Sequence, residues 1–171
     1  MMKRIFSAFL AAALLLTAAA CGKKAPAAPA LKEGVTLQSV VDGIGEEIGI
    51  TMPTEVDESI LKDLIGIDPA DVEEYAGYIT MVMVSADNLI AVKAKEGKVE
   101  TVQNALAARQ EMVIKSFEQY LPSELDKSRA GKVITIGDYV FLVILGRMDE
   151  DPASEVTLIE EMIRSNFDNL T

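Results

Sequence analysis

The run Tyr139-Val140-Phe141-Leu142-Val143-Ile144-Leu145 constrains this chain more than any other stretch. It offers no polar position on either side of a two-residue repeat, so a strand built from it must be central in its sheet or covered by helices. Residues 140–145 are also far too short an apolar run to cross a bilayer. Gly137-Asp138 precedes the run as a Gly-first two-residue turn, and residues 132–136 supply its partner strand. A second hairpin is expected from residues 78–84 and 89–94, joined by Ser85-Ala86-Asp87-Asn88.

Helical periodicity fills the rest. Leu37, Val40, Val41, Ile44 and Ile48 share one face over residues 36–50, although Gly43, Gly45 and Gly49 favour fraying. Residues 54–65 read as a short helix stopped by Gly66. Residues 98–121 form the clearest helix, with Val99, Val102, Leu106, Val113, Phe117 and Tyr120 on one face. Glu100, Gln103, Arg109 and Lys115 take the polar remainder, and Pro122 ends it. Asp151-Pro152 opens a final helix whose stripe is Val156, Ile159, Met162, Ile163 and Phe167. The expected fold class is α+β: an antiparallel four-stranded sheet from two hairpins, with helices packed on it.

The N-terminus carries a different message. Lys3 and Arg4 form a basic start, residues 5–16 an apolar segment of 12 residues, and Ala18-Ala19-Ala20 a small-residue stretch before Cys21. This layout is that of a secretory signal. It resembles a lipobox, with Ala18 where Leu is more usual. Cys21 is therefore the expected lipidation site, because a diacylglyceryl thioether supplies two acyl chains, enough for stable anchoring. Residues 22–30, Gly-Lys-Lys followed by Ala/Pro, bury nothing and read as a tether reaching about 30 Å at roughly 3.1 Å per residue. The expected organisation is residues 1–20 as signal peptide, 21–35 as lipidated Cys and tether, and 36–171 as one α+β domain. The membrane, reached through Cys21, is the first expected partner, and the location is the extracytoplasmic face of the cell membrane.

Composition removes several chemistries. With no His and one Cys, the chain has no Ser-His or Cys-His nucleophile pair, no imidazole-ligated zinc and no intramolecular disulfide. A formal charge of −11 opposes nonspecific binding to nucleic acid. Ser59-Ile60-Leu61-Lys62 has the SxxK spacing of penicillin-binding enzymes, but no KTG accompanies it and Ser85-Ala86-Asp87-Asn88 is not SDN. Acids cluster at Glu46-Glu47, Glu55-Asp57-Glu58, Asp71-Glu73-Glu74 and Asp149-Glu150-Asp151. Most fall at expected helix starts, where they oppose the helix dipole; a cation site is the alternative. A carboxylate-pair glycoside hydrolase would also need aromatic platforms, and the chain has no Trp. Met81, Met83, Met112 and Met162 read as core filler. Tyr75, Tyr78, Tyr120 and Tyr139 read as core-edge residues with the hydroxyl in water.

Gly66-Ile67-Asp68-Pro69, Glu73-Glu74-Tyr75, Ser85-Ala86-Asp87, Ala107 to Arg109, Tyr120-Leu121-Pro122 and Gly137-Asp138-Tyr139-Val140 stand in an order that resembles one family. It is that of small lipoproteins of clostridia-like Gram-positive bacteria, catalogued as a domain of unknown function. The resemblance spans roughly residues 36–146 and implies a cell-surface lipoprotein domain, with no catalytic residue, metal ligand or cofactor. The resulting expectation is a non-enzymatic domain that binds a partner, an envelope protein, beside the membrane. A small-ligand or cation-binding module built on the acidic turns is the alternative.

Overall fold

The computed structural model describes residues 28–170. The expected signal peptide and the expected lipidation site Cys21 lie outside them. Among the described residues two sheets are formed. Strands β2 (Pro53–Glu55), β3 (Val72–Thr80), β4 (Asn88–Ala94), β5 (Lys132–Ile136) and β6 (Tyr139–Ile144) build the main one, in the order β2-β3-β4-β6-β5 with every neighbour antiparallel. A small second sheet pairs β1 (Ala30–Leu31) with β7 (Phe167–Asp168).

The α+β class holds, but the main sheet has five strands, not four. Residues 54–65 are the reason. Pro53, Thr54 and Glu55 pair with Thr80, Ile79 and Tyr78 along the open edge of β3, and only residues 58–65 are helical, with Ile60–Ile65 as a wide π turn. Proline is tolerated at an edge because its missing N–H breaks no ladder bond there. β3 also runs earlier than expected, so Met81 to Val84 lie past the end of the strand.

β6 is interior and covered on both faces. Its alternation splits the core in two. Phe141, Val143 and Leu145 join Leu89 and Ala91 beneath α1 (Leu37–Ile48) and α4 (Pro152–Ser165). Val140, Leu142 and Ile144 join Ile90 and Val92 beneath α2 (Val99–Phe117) and the π turn. Both α1 and α4 are capped at their N-termini: Thr36 and Ser39 form a reciprocal capping box, and the Asp151 carboxylate accepts the Ser154 N–H at 2.9 Å. The long helix stops at Phe117, four residues short of its expected end, so Pro122 does not end it; Pro122 instead opens another helix, α3 (Pro122–Ala130), at a first-turn position that suits proline.

The methionine reading needs correction. Met162 packs against the core, but Met81 and Met112 are exposed and Met83 is 81% exposed. Of the tyrosines, Tyr139 is buried, Tyr120 exposed, and Tyr75 and Tyr78 half-buried. The Tyr78 hydroxyl is not left to water. It donates to Asp42 at 2.9 Å, and that bond, with burial, raises its pKa. Among the described residues no helix is long and apolar enough to cross a membrane.

Candidate functional site

The polar centre of the molecule lies where β4 begins. The turn after β3 brings Ser85, Asp87 and Asn88 inside, and Asp87 is only 2% exposed. A buried carboxylate needs partners, and Asp87 has two. Lys127 of α3 donates to one oxygen at 2.6 Å, and the backbone N–H of Thr51 donates to the other at 2.9 Å. The Lys127 ammonium also reaches Glu124 at 2.8 Å, one helical turn away, and Glu124 accepts the Ala86 N–H at 2.8 Å. One cation thus joins two carboxylates, and each carboxylate also holds the backbone of a connecting segment. Burial favours the neutral amine of Lys127. The hydrogen bonds and charges of Asp87 and Glu124 outweigh it and hold the group above the ordinary lysine range.

Arg109 completes this centre from α2. It was expected on the polar face of that helix, yet it is buried with Leu106 and Val113, and its Nε donates to the Asn88 side-chain oxygen at 3.0 Å. Asn88 in turn donates to the Ala86 carbonyl at 2.9 Å. The burial of Arg109 lowers its pKa. Ser85-Ala86-Asp87 and Arg109, two motifs far apart in sequence, therefore meet in one hydrogen-bonded network. Glu124 and Lys127 belong to it as well. Their sequence signal was faint: an i, i+3 acid–base pair on a short helix with no apolar stripe.

A cleft of about 910 Å³ opens beside this network. Its walls come from the ends of α1 and β6 and from the start of α3; Thr51, Val84, Asp87, Lys127, Arg147 and Met148 all line it. Arg147 is fixed by Glu155 of α4, whose carboxylate accepts Nε at 2.9 Å and Nη2 at 2.6 Å. That pairing holds Glu155, 4% exposed, below the usual carboxylate range.

Of the acidic clusters singled out in the sequence, Asp149 and Glu150 line this cleft, but the others do not gather here. Asp71 pairs with Lys98 and Glu73 with Lys93, while Glu74 accepts the Leu37 N–H and Asp57 the Ile60 N–H. Among the described residues no three Asp, Glu or Cys side chains are grouped so as to hold a metal ion. Ser59 and Lys62 of the SxxK spacing are exposed, and Ser59 meets Asp63, not Lys62. Asp87 and Glu124 are the carboxylates brought closest to a shared function. Lys127 stands between them, so the arrangement is an ion-paired clamp rather than the open acid–nucleophile pair of glycoside hydrolysis.

What the fold and the cleft define is a helix-covered antiparallel sheet domain with a buried ionic clamp at one end. The family follows from comparison: residues 46–145 match the domain of unknown function DUF4358, and the chain belongs to that family. The match takes in the main sheet, α2, α3 and the whole clamp, and stops before α4. No curated protein and no solved structure matches the chain.

Proposed function

We propose that this DUF4358 protein is a membrane-anchored extracytoplasmic lipoprotein, similar in kind to the small lipoproteins of clostridia-like Gram-positive bacteria. Its domain acts without catalysis, by binding a partner in the cell envelope. The anchor rests on sequence alone: the basic start, the apolar segment, the small residues and Cys21. The observation that carries partner binding is a cluster of exposed apolar side chains around the cleft. Met148 is 90% exposed, Met83 81% and Val84 58%, in a chain that otherwise buries its strands with care. Exposed apolar groups gathered at one place favour a docking role, and methionine adapts well to a partner's shape.

Cys21→Ala is expected to abolish metabolic labelling with a fatty acid; a variant that still labels refutes the anchor. A photo-crosslinking amino acid at position 83 should capture a reproducible envelope protein in cells, whereas one at position 138 should not. Equal capture from both positions, or from neither, removes the binding role. The cleft also favours a second reading, a small organic ligand held beside the clamp. Its cation version predicts a raised unfolding midpoint in millimolar Ca²⁺, and an unchanged midpoint eliminates that version.

A further inference from the structure

Apart from Met112 on α2, the exposed methionines are not scattered. Strand register places them at one pole of the sheet. Pro53 pairs with Thr80, so Met52 and Met81 both lie just beyond the last paired residues, at the same end of the sheet. Asn88 pairs with both Ile79 and Ile144, which brings the turn carrying Met83 and Val84 to the same end as the loop carrying Met148. The chain enters the domain at the opposite pole. A side chain on Gly137, in the β5–β6 turn, would come within 3.4 Å of the Pro29 carbonyl. The six residues of β6 separate the two poles by roughly 20 Å, at about 3.4 Å per residue.

Charge narrows the occupant. The acids lining the cleft are Asp87, Glu124, Asp126, Asp149 and Glu150; its cations are Lys127 and Arg147. Both cations are spent, Lys127 on Asp87 and Glu124 and Arg147 on Glu155. Asp126, Asp149 and Glu150 are exposed and have no ion-pair partner among the described residues. The pole is therefore apolar at its rim and negative in its cleft. We infer that it docks a cationic segment of another protein, one whose Lys or Arg side chains flank apolar anchors. Resting on the anchored reading above, the inference also turns this pole away from the membrane, because a tether leaving at Pro29 holds the other end outward. Exposed methionines supply an adaptable apolar seat and the unpaired carboxylates select the charge.

The chain has no Trp, so Met83→Trp installs a sole indole at the rim. The full chain carrying it, on neutral phosphatidylcholine vesicles, is titrated with a 14-residue peptide of Leu and Lys and with its Glu-for-Lys counterpart. The Lys peptide should blue-shift the emission saturably, with at least a tenfold weaker affinity in 500 mM than in 50 mM NaCl. The Glu peptide should leave it unchanged. Asp149→Asn with Glu150→Gln should weaken the Lys peptide several-fold, and Met112→Trp, on the outside of α2, should report no shift. Equal responses to the two peptides, no response to either, or an equal shift from Met112→Trp overturns the inference. Quenching of the Met83→Trp indole by brominated lipid before peptide is added overturns it too, because the membrane is then the occupant. Co-sedimentation with the vesicles reads the anchor separately: a chain that stays free yet still binds the Lys peptide removes the anchor and upholds the docking.

Discussion

Lys127→Met is the perturbation that most directly tests the ionic clamp. Methionine keeps the length and apolar stem of lysine, so the change removes chiefly the ammonium. Two carboxylates then face each other without the cation that joined them at 2.6 and 2.8 Å, and Asp87 keeps only the Thr51 N–H in a place 2% exposed. Breaking one partner of a buried pair costs about 3–5 kcal/mol. For a chain of this size each kcal/mol moves the melting temperature by about 2–4 °C, so a fall of about 6–20 °C is expected by calorimetry. Lys93→Met is the control. Its partner Glu73 and Lys93 itself are both solvent-accessible at the sheet surface, and the expected loss is at most about 1 kcal/mol. The double variant Lys127→Met with Asp87→Asn should recover part of the loss, since it removes a stranded charge. A Lys127→Met loss no larger than that of Lys93→Met would refute the clamp as a stabilising device.

Two glycines should respond to alanine with opposite signs. In Gly77→Ala the new Cβ would stand 2.7 Å from the Leu89 carbonyl oxygen, forcing β3 and β4 apart, and urea unfolding should show a loss of about 1–3 kcal/mol. Gly43 in α1 has nothing within 4 Å, so Gly43→Ala should gain up to about 1 kcal/mol from helix propensity; a loss there would contradict the open surface. Acid stability tests Glu155. Arg147 lowers its folded pKa, so the stabilisation is present above the unfolded value of about 4.3 and lost as pH falls through the lowered folded value. The gap between wild type and Glu155→Gln should accordingly begin to narrow as pH falls below about 4.3, and a gap that does not change on further acidification would show that the pairing does not couple to folding.

The sequence announced its elements unevenly, and the reasons are physical. β6 was plain because an interior strand needs apolar groups on both faces, and α4 because an Asp-Pro start and a regular stripe agree. β2 was invisible: three residues along an edge owe their conformation to a distant partner strand and carry no period of their own. Met81 to Val84 have strand-forming side chains but lie in a turn, because the pairing of β3 with β4 runs out at Asn88. Propensity there loses to tertiary register. Arg109 could have been placed inside, since positions 102, 106, 109, 113 and 117 follow helical spacing, but a guanidinium on that stripe reads as a breach until Asn88 is seen to receive it. The clamp escaped for a related reason. Its members lie on a turn and on a short helix without an amphipathic pattern, and only the fold brings them together.

The clamp and the exposed rim make sense as one design. Burying a side chain such as methionine is worth about 1.5–3 kcal/mol, and at one pole this chain forgoes that gain at Met52, Met81, Met83 and Met148. Loops that display apolar groups to water would tend to collapse onto one another unless held from below. Asp87 grips the backbone at Thr51, beside Met52; Glu124 grips it at Ala86, two residues past Val84; Arg147, beside Met148, is held by Glu155. Each rim segment is thus tied down by a buried or half-buried carboxylate, close in the chain to its exposed side chain. On the docking role proposed above, such a rim would enter an encounter already shaped, so less of the docking energy would be lost to ordering it. That economy is what a binding surface gains from an ionic floor, and it is why loosening the floor with Lys127→Met should weaken docking at Met83 even though Lys127 need never touch the partner.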